Sequence, residues 1–488
     1  MQIAISLACA TCLTVASAEC FRVLQSASYR PQRGYYKICF SFYYLSLLVA
    51  QLAATLFYAF LPFYGYVNLA IYAAIAVFWS VFKRKCPLKI TKRVIRMFVV
   101  QLVILDVLCV FVNLSFFVWL LPVITIVSYL ICLPIDLLIA KYYVRRATAK
   151  LADSGVTVVA ITGSYGKTSV KDMLAALLKD SLSPTGSCNT PLGIASFVNK
   201  SDLTGVKYLV LEFGARRRGD VAELCNLYKP KYGVITGVCA QHLSTFKTLD
   251  AVVATKRELV EHLPTDGFCV LNSEDGYASS FVESGVCEKF LSYDSLTLAV
   301  QKVSFDGTTL SVQSGSCTGE IKLPQISEYV KDTFAMCLQT ALRLNQSFDE
   351  TLELATYIKQ TPHRMELIKG AGCYVLDDSY NGSTVGVESC CKTLRKFNCA
   401  KVVITQGLVE CGKQRKEMNV QCGRLLGGVC DVAVVLGRNA SYLAEGLGET
   451  SCTVLHAKDL KQAVELASGH VKGGILLFQN DLPDVVNL

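Results

Sequence analysis

The chain has 488 residues, 52% of them hydrophobic, and a formal net charge of +9, a length that predicts two or three domains. The basic residues gather beside apolar runs, which accounts for the charge without a nucleic-acid partner. The 22 cysteines follow no metal-ligand spacing, since Cys9-x-x-Cys12 lies in an apolar run and Cys390-Cys391 are adjacent. They read as small apolar fillers, kept reduced if the chain faces the cytoplasm.

Taken in chain order, residues 1–145 come first as an expected membrane region. Apolar stretches at 2–18, 38–60, 63–82, 97–119 and 121–140 each approach the roughly 20 residues that cross a bilayer. This predicts about five transmembrane helices. Basic residues occupy alternate connections: Arg22, Arg30, Arg33 and Lys37; then Lys83 to Lys85, Lys89, Lys92, Arg93 and Arg96; then Lys141, Arg145, Arg146 and Lys150. By the positive-inside rule the amino terminus lies outside, and everything after Lys141 is cytoplasmic. The expected location is therefore a multi-pass protein of the plasma (cell inner) membrane. A cleaved signal peptide ending near Ala16-Ser17-Ala18 is the alternative for the first stretch, and it leaves the catalytic part on the same side.

From there the pattern is α/β. Strand-like runs at 156–161, 207–213, 232–237, 267–272, 373–378, 401–406, 432–436 and 474–478 alternate with helical ones, as in doubly wound sheets. Such sheets bind ligands at the carboxyl ends of their strands. Residues 295–323 alternate in a different way and predict a small β excursion. A helical pattern follows over 327–344. The His363-Arg364 region after Pro362 reads as a hinge, dividing a central domain (146–361) from a carboxy-terminal one (362–488).

The first strand leads into Gly163-Ser164-Tyr165-Gly166-Lys167-Thr168-Ser169 and then into a helix-patterned run with Val170, Met173, Leu174 and Leu177 on one face. Strand, glycine turn, Lys-Thr and helix make a phosphate cradle. Loop amides at a helix start attract an anion. Lys167 brings a point charge for the terminal phosphates and Thr168 a hydroxyl for Mg²⁺. The glycine usual five residues before the Gly-Lys pair is replaced by Ile161. ATP and Mg²⁺ are the expected cofactors.

Other polar residues stand where apolar strands end. Glu212 closes Tyr208-Leu209-Val210-Leu211 and suits Mg²⁺. His242 follows the strand at 232–237, Lys256 lies on a helical segment, and Asn272 and Asp275 end the next strand. Asp377 and Asp378 end the strand begun at Cys373. The plain alternatives are a hydrogen-bonded structural histidine, a solvated lysine, turn residues and a helix cap.

In order, Thr162 to Ser169, Asn189-Thr190-Pro191-Leu192-Gly193-Ile194, Leu211 to Arg216, Gly233 to Thr236 with His242-Leu243, Val270 to Asp275, and Asp377-Asp378-Ser379-Tyr380-Asn381 resemble the Mur ligase family. These are ATP-dependent amide-bond synthetases, and the nearest pattern is the branch that adds D-alanyl-D-alanine to the peptidoglycan tripeptide precursor. The resemblance covers about 156–488. It implies a central P-loop ATPase domain and a Rossmann-like carboxy-terminal domain. It implies catalytic roles for Lys167, Lys256 and His242, and nucleotide contacts from Gly163 to Ser169, Asn272, Asp275 and Arg364. It implies Mg²⁺ ligation by Thr168, Glu212, His242 and a carbamylated Lys256, and substrate contacts from Asn189, Thr190, Asp377, Asp378, Tyr380 and Asn381. The implied partners are a peptidoglycan-precursor-like carboxylate acceptor and an amino acid or dipeptide as amine.

Three departures stand out. The apolar stretches occupy the place of the family's UDP-sugar-binding domain, which points to a lipid-linked acceptor or to a partner protein supplying that site. Glu328-Tyr329-Val330-Lys331-Asp332 stands for the family's His-Asn-x-x-Asn near the adenine. Asn381-Gly382-Ser383-Thr384 and Phe478-Gln479-Asn480-Asp481 stand for Asn-Ala-Asn-Pro and Lys-Gly-Ser-Arg. Alternatives kept open are a ligase of another envelope polymer such as poly-γ-glutamate, a nucleotide-binding scaffold, and a transport ATPase. The last is disfavoured because Asp106 and Asp136 are the clearest ionisable residues in the apolar stretches.

Overall fold

The computed structural model describes residues 2–26, 29, 70, 73, 74, 77, 88–111, 120–240, 243–370, 372–380, 382–409 and 411–480. The chain divides into two compact units, residues 1–142 with 483–488, and residues 143–482.

In the first unit, helices α1 (Gln2–Ala16) and α2 (Ala18–Ser26) precede α3 (Lys92–Phe111) and α4 (Leu121–Ser154). Leu13, Phe21, Leu24, Met97, Leu105 and Ile124 form its core. The expected stretches at 38–60 and 63–82 fall almost wholly outside the described residues. The first stretch departs from its expected limits, because the helix breaks at Ser17 and resumes to Ser26. Two segments, Leu7–Ser26 and Leu121–Ser154, are long and apolar enough to cross a membrane. Asp136 is not an isolated charge, for it pairs with Arg93 at 2.6 Å and with Arg96. Helix α4 runs on past residue 140 through Lys141 to Lys150, so that basic cluster is helical rather than a loop.

The second unit holds three sheets. The central sheet is fully parallel, in the order β2-β3-β1-β4-β5-β6. Its strands are β1 (Thr157–Thr162), β2 (Ser181–Leu182), β3 (Tyr208–Glu212), β4 (Tyr232–Ile235), β5 (Phe268–Leu271) and β6 (Glu288–Leu291). Strand β1 is apolar on both faces because both are covered. Val159 and Ile161 pack with helices α5 (Lys167–Leu177), α9 (Val330–Arg343) and α10 (Phe348–Ala355). Val158 and Ala160 pack toward α6 (Pro191–Lys200), α7 (Asp220–Tyr228) and α8 (Leu249–His262). The β excursion is an antiparallel meander, β7 (Leu296–Ser304), β8 (Gly307–Ser314) and β9 (Cys317–Leu323).

The carboxy-terminal sheet has the order β10-β11-β15-β12-β13-β14. Its strands are β10 (Glu366–Lys369), β11 (Tyr374–Asp378), β12 (Lys401–Gly407), β13 (Val432–Leu436), β14 (Thr453–Ala457) and β15 (Ile475–Asn480). Only β10 runs antiparallel. Helices α11 (Thr384–Leu394), α12 (Arg415–Gly427) and α13 (Ala440–Leu447) cover one face, and α14 (Leu460–Ser468) covers the other. Phe305, from the β7–β8 turn, stacks on Tyr374 at 3.8 Å between ring centroids and joins the meander to this sheet.

Candidate active site

Four adjacent strands of the central sheet deliver their last residues to one edge. Between β1 and α5 the chain must turn sharply. At Gly163 a Cβ would lie 2.0 Å from Thr236 Oγ1, and Gly166, with φ 72°, caps α5. Only glycine meets both demands without strain. The turn is pinned from β4, where the Ser164 amide donates to Gly237 O at 2.7 Å. The start of α5, where Gly166 and Ser169 line a cavity, thus presents its first-turn amides and the positive helix end, an anion site.

The charged groups converge there. Glu212, 2% exposed, accepts from Thr168 Oγ1 at 2.9 Å through one oxygen and from Asn189 Nδ2 at 3.0 Å through the other. Asn189 comes so close because Gly214 has no side chain, a Cβ there falling 2.7 Å from the amide carbon. Thr190, expected to contact substrate, caps α6, its hydroxyl accepting from Gly193 N. Lys167 Nζ donates to Ser164 O at 3.1 Å. Burial lowers its pKa and the Arg364 charge adds to this, while Glu212 opposes both. Lys256 is 3% exposed and has no hydrogen-bond partner among the described residues. Burial and the neighbouring Lys167 push its pKa down to about 7, against Glu212 and Glu258. It is no solvated helix lysine. His242 lies outside the described residues, as does Asn381.

Asn272 and Asp275 combine structural and lining parts. Asn272 Nδ2 donates to Thr236 O at 2.8 Å. Asp275 caps the short helix Gly276–Ser279 and accepts from Tyr165 OH at 2.9 Å. Both line a cleft of about 880 Å³ with Tyr165, Tyr329, Lys331 and Glu388. A smaller space of about 160 Å³ beside it is bounded by Gly166, Ser169, Arg364, Asp378 and Ser383. Carboxy-terminal residues therefore close over the phosphate cradle. Lys396 pairs with Glu328 at 2.6 Å, Tyr380 OH meets Ser187 Oγ, and Arg364 lies 4.5 Å over the Tyr380 ring.

The paired aspartates separate. Asp378 points inward, and burial raises its pKa to about 6 against the pull of Arg364. Asp377 turns to His363 Nδ1 at 2.7 Å and is absent from the residues lining either cavity. Sequence reasoning missed Lys171, which is wholly buried and ties down the 184–186 loop through Pro184 O at 2.7 Å and Gly186 O at 2.6 Å. A lysine on the apolar face of α5 was the available signal. It also missed Ser187, a short hydroxyl residue with no motif of its own, and gave no role to Thr236 within the Gly233–Thr236 motif.

Residues 161–329 match the Mur ligase middle domain, and residues 363–479 match the Mur ligase glutamate ligase domain. The UDP-N-acetylmuramoyl-tripeptide–D-alanyl-D-alanine ligase of Mycobacterium tuberculosis is 28% identical over 376 residues, which are 69% of this chain and 71% of that protein. A second ligase of the same name from Mycobacterium bovis is 31% identical over 257 residues, and the chain spans about half of its length. The fold is shared with the MurF ligase of Thermotoga maritima in complex with ADP, at a TM-score of 0.63 and 24% identity, covering 71% of this chain and 81% of that one. With both Mur ligase domains matched and residues of both bordering one space beside the phosphate cradle, the chain belongs to the Mur ligase family and is an ATP-dependent, amide-forming ligase of the kind that builds peptidoglycan precursors.

Proposed function

We propose that this chain joins the carboxylate of a muramyl-tripeptide acceptor to the amine of D-alanyl-D-alanine through an acyl phosphate. The observation that carries this reading is the convergence of Lys167, Thr168, Glu212 and Lys256 at one buried strand edge. The donor set fits Mg²⁺, because a buried carboxylate and a hydroxyl stand 2.9 Å apart, and among the described residues no cation forms an ion pair with the carboxylate. Thr168 and Glu212 would hold one ion, and His242 with Lys256 as its carbamate would hold another. Such ions neutralise phosphate charge.

The chain's own groups supply the rest. A free carboxylate resists an amine because oxide is a poor leaving group. Lys167 and the α5 amides stabilise charge on the phosphoryl group as it moves from ATP to the acceptor carboxylate. Asn272, Asp275 and Arg364 hold the nucleotide. Asn189, Asp378 and Tyr380 stand where the acyl phosphate meets the amine, whose attack expels phosphate through a tetrahedral intermediate. Closure of Tyr380 on Ser187 keeps water from the acyl phosphate.

We further infer that residues before about 145 anchor the enzyme in the plasma membrane, with the catalytic domains cytoplasmic and the amino terminus outside. The basic clusters support this orientation, as do the exposed apolar side chains of Val99, Val103, Val107, Leu130, Ile131 and Leu138 on α3 and α4. The acceptor is then either UDP-linked or lipid-linked. Phosphate release with ATP and Mg²⁺ is the test, given each acceptor form with D-alanyl-D-alanine and followed by product mass. A mass gain equal to the dipeptide is expected. ATP turnover without that product would reject the substrate pair.

A further inference from the structure

The carboxyl edge of the second sheet carries an amide network that neither the phosphate cradle nor the nucleotide uses. Asn480, at the end of β15, accepts from Gln406 N at 3.0 Å. Asn439 donates to Gln406 O at 3.1 Å and to Leu408 O at 2.9 Å. Its own oxygen accepts from Arg415 Nε at 2.6 Å. Asn419 holds the same loop, accepting from Leu408 N at 2.9 Å and donating to Arg415 O at 2.8 Å. Three asparagines therefore fix Gln406, Leu408 and Arg415 relative to the strand ends. Asn419 and Asn439 are both almost wholly buried.

Arg415 begins α12, so its charge adds to the positive end of that helix. Its Nε is fixed by Asn439, and among the described residues no carboxylate pairs with its guanidinium. Tyr442 lies 5.9 Å away, ring centroid to Cζ. An arginine held by one nitrogen, with its terminal nitrogens free of an acid, is set for bidentate binding of an outside carboxylate. A second donor is left over at the end of β15. Gln479, next to Asn480, shares its sheet face with Leu477 in the core under α11 to α13. It is wholly buried, and its Nε2 has no partner among the described residues.

The position relative to the reaction is set by Gly412, three residues before Arg415. A Cβ there would lie 3.3 Å from the Leu243 backbone, so the loop rests against the central domain just after His242. Tyr380 makes the other contact, with Ser187. Asp378, at the carboxyl end of β11, borders the same space as Gly166 and Ser169 of the cradle.

We propose that Arg415, positioned by Asn439, is the specificity residue that binds the carboxylate of the incoming amino acid or dipeptide. It supplies from α12 the cation that the neutral Gln479-Asn480 pair at the end of β15 lacks. Given the ligase reading above, the amine substrate must then carry a free carboxylate.

The experiment compares ligation of D-alanyl-D-alanine with that of its carboxy-terminal amide by the full-length enzyme, Arg415→Ala and Arg415→Lys. For the wild type the carboxylate form is expected to be favoured. In Arg415→Ala the KM for the dipeptide rises roughly 10- to 100-fold, the loss of hydrogen bonds to a charged group. The KM for the amide stays put and discrimination vanishes. Arg415→Lys recovers part of it. An unchanged KM for ATP in both variants reports an intact fold. Discrimination that survives Arg415→Ala would overturn the assignment of Arg415 while leaving the ligase reading intact. Wild-type enzyme that ligates neither amine would overturn that reading, and this assignment with it.

Discussion

The two six-stranded sheets of the catalytic unit end in different chemistry. At the central edge, Glu212, Lys167 and Lys256 are buried together and perturb one another. At the carboxy-terminal edge the strand-end groups are Thr405, Gln406, Gln479 and Asn480, mostly neutral and bonded to one another. Burying charge is costly unless a ligand or partner compensates it. The first edge is therefore built to receive a polyanion, since a triphosphate and its ions complete its electrostatics. Among the described residues the second edge leaves over the terminal nitrogens of Arg415 and Gln479 Nε2, so it suits a small ligand with one carboxylate.

The sharpest break of this contrast is Lys167→Ala. Removing the cation that donates to Ser164 O in the cradle should lower phosphate release by about 10²- to 10³-fold or more. Turnover above a tenth of the wild-type rate would move the phosphate site away from the central edge.

Lys256 tests the same edge through pH. Its folded pKa, about 7, lies below the ordinary value of 10.5, so between these the unfolded chain binds the extra proton. Stability then rises with pH over that window. The contribution is fully present above about 10.5 and is lost as pH falls through about 7. Relative to Lys256→Met, the wild type should gain, on the order of several kcal/mol, between pH 6 and pH 10. Urea midpoints for both proteins measure this, and a difference that is flat or falls with pH would mean that Lys256 is not buried as a neutral amine. The same neutral amine is the form that takes up CO₂, so ¹³C-bicarbonate should give a carbamate signal that Lys256→Met lacks.

Gly163→Ala probes shape at that edge rather than charge. The added methyl falls 2.0 Å from Thr236 Oγ1 and should cost about 1–3 kcal/mol in urea unfolding. Gly205→Ala is the control, because it shares a positive φ of 74° but meets nothing within 4 Å. Equal losses in the two would show that backbone strain alone matters, and that Thr236 does not shape the turn.

The two edges also differ in how far the sequence discloses them. Every interior strand of both sheets is a continuous apolar run and is legible for that reason, as in β3, buried throughout. The four strands that the pattern does not announce, β2, β6, β10 and β14, are the outermost strands of their sheets. With one edge unpaired they keep exposed or half-buried positions, such as Glu288 and Lys369, and their periodicity is weak. The central site was legible because Glu212 and Asn272 stand at the ends of apolar strands and Lys167 and Thr168 open the helix that follows another. Asp377 and Asp378 look equivalent in sequence, yet alternation along β11 sends them to opposite faces, one to His363 and one to the cavity. Thr190 stands in a substrate-like motif, and its role as the cap of α6 shows only in the structure. Arg415 follows no apolar run, and only the asparagines around it reveal its position.

The smallest effect concerns how the two edges meet. Tyr380→Phe keeps the ring under Arg364 and removes only the hydroxyl that meets Ser187. One neutral hydrogen bond contributes about 0.5–1.5 kcal/mol, so kcat should fall less than about tenfold, with the KM for ATP unchanged. Ser187→Ala should match it, and the double variant should be no worse than either single one, since both remove the same contact. Closure that excludes water predicts one more change. In each variant a larger share of the ATP consumed should end as free phosphate without dipeptide addition, because the acyl phosphate is then open to hydrolysis. Additive losses with tight coupling of ATP use to ligation would mean that Tyr380 and Ser187 act separately, and that closure depends on the Lys396–Glu328 pair and the Phe305–Tyr374 stack instead.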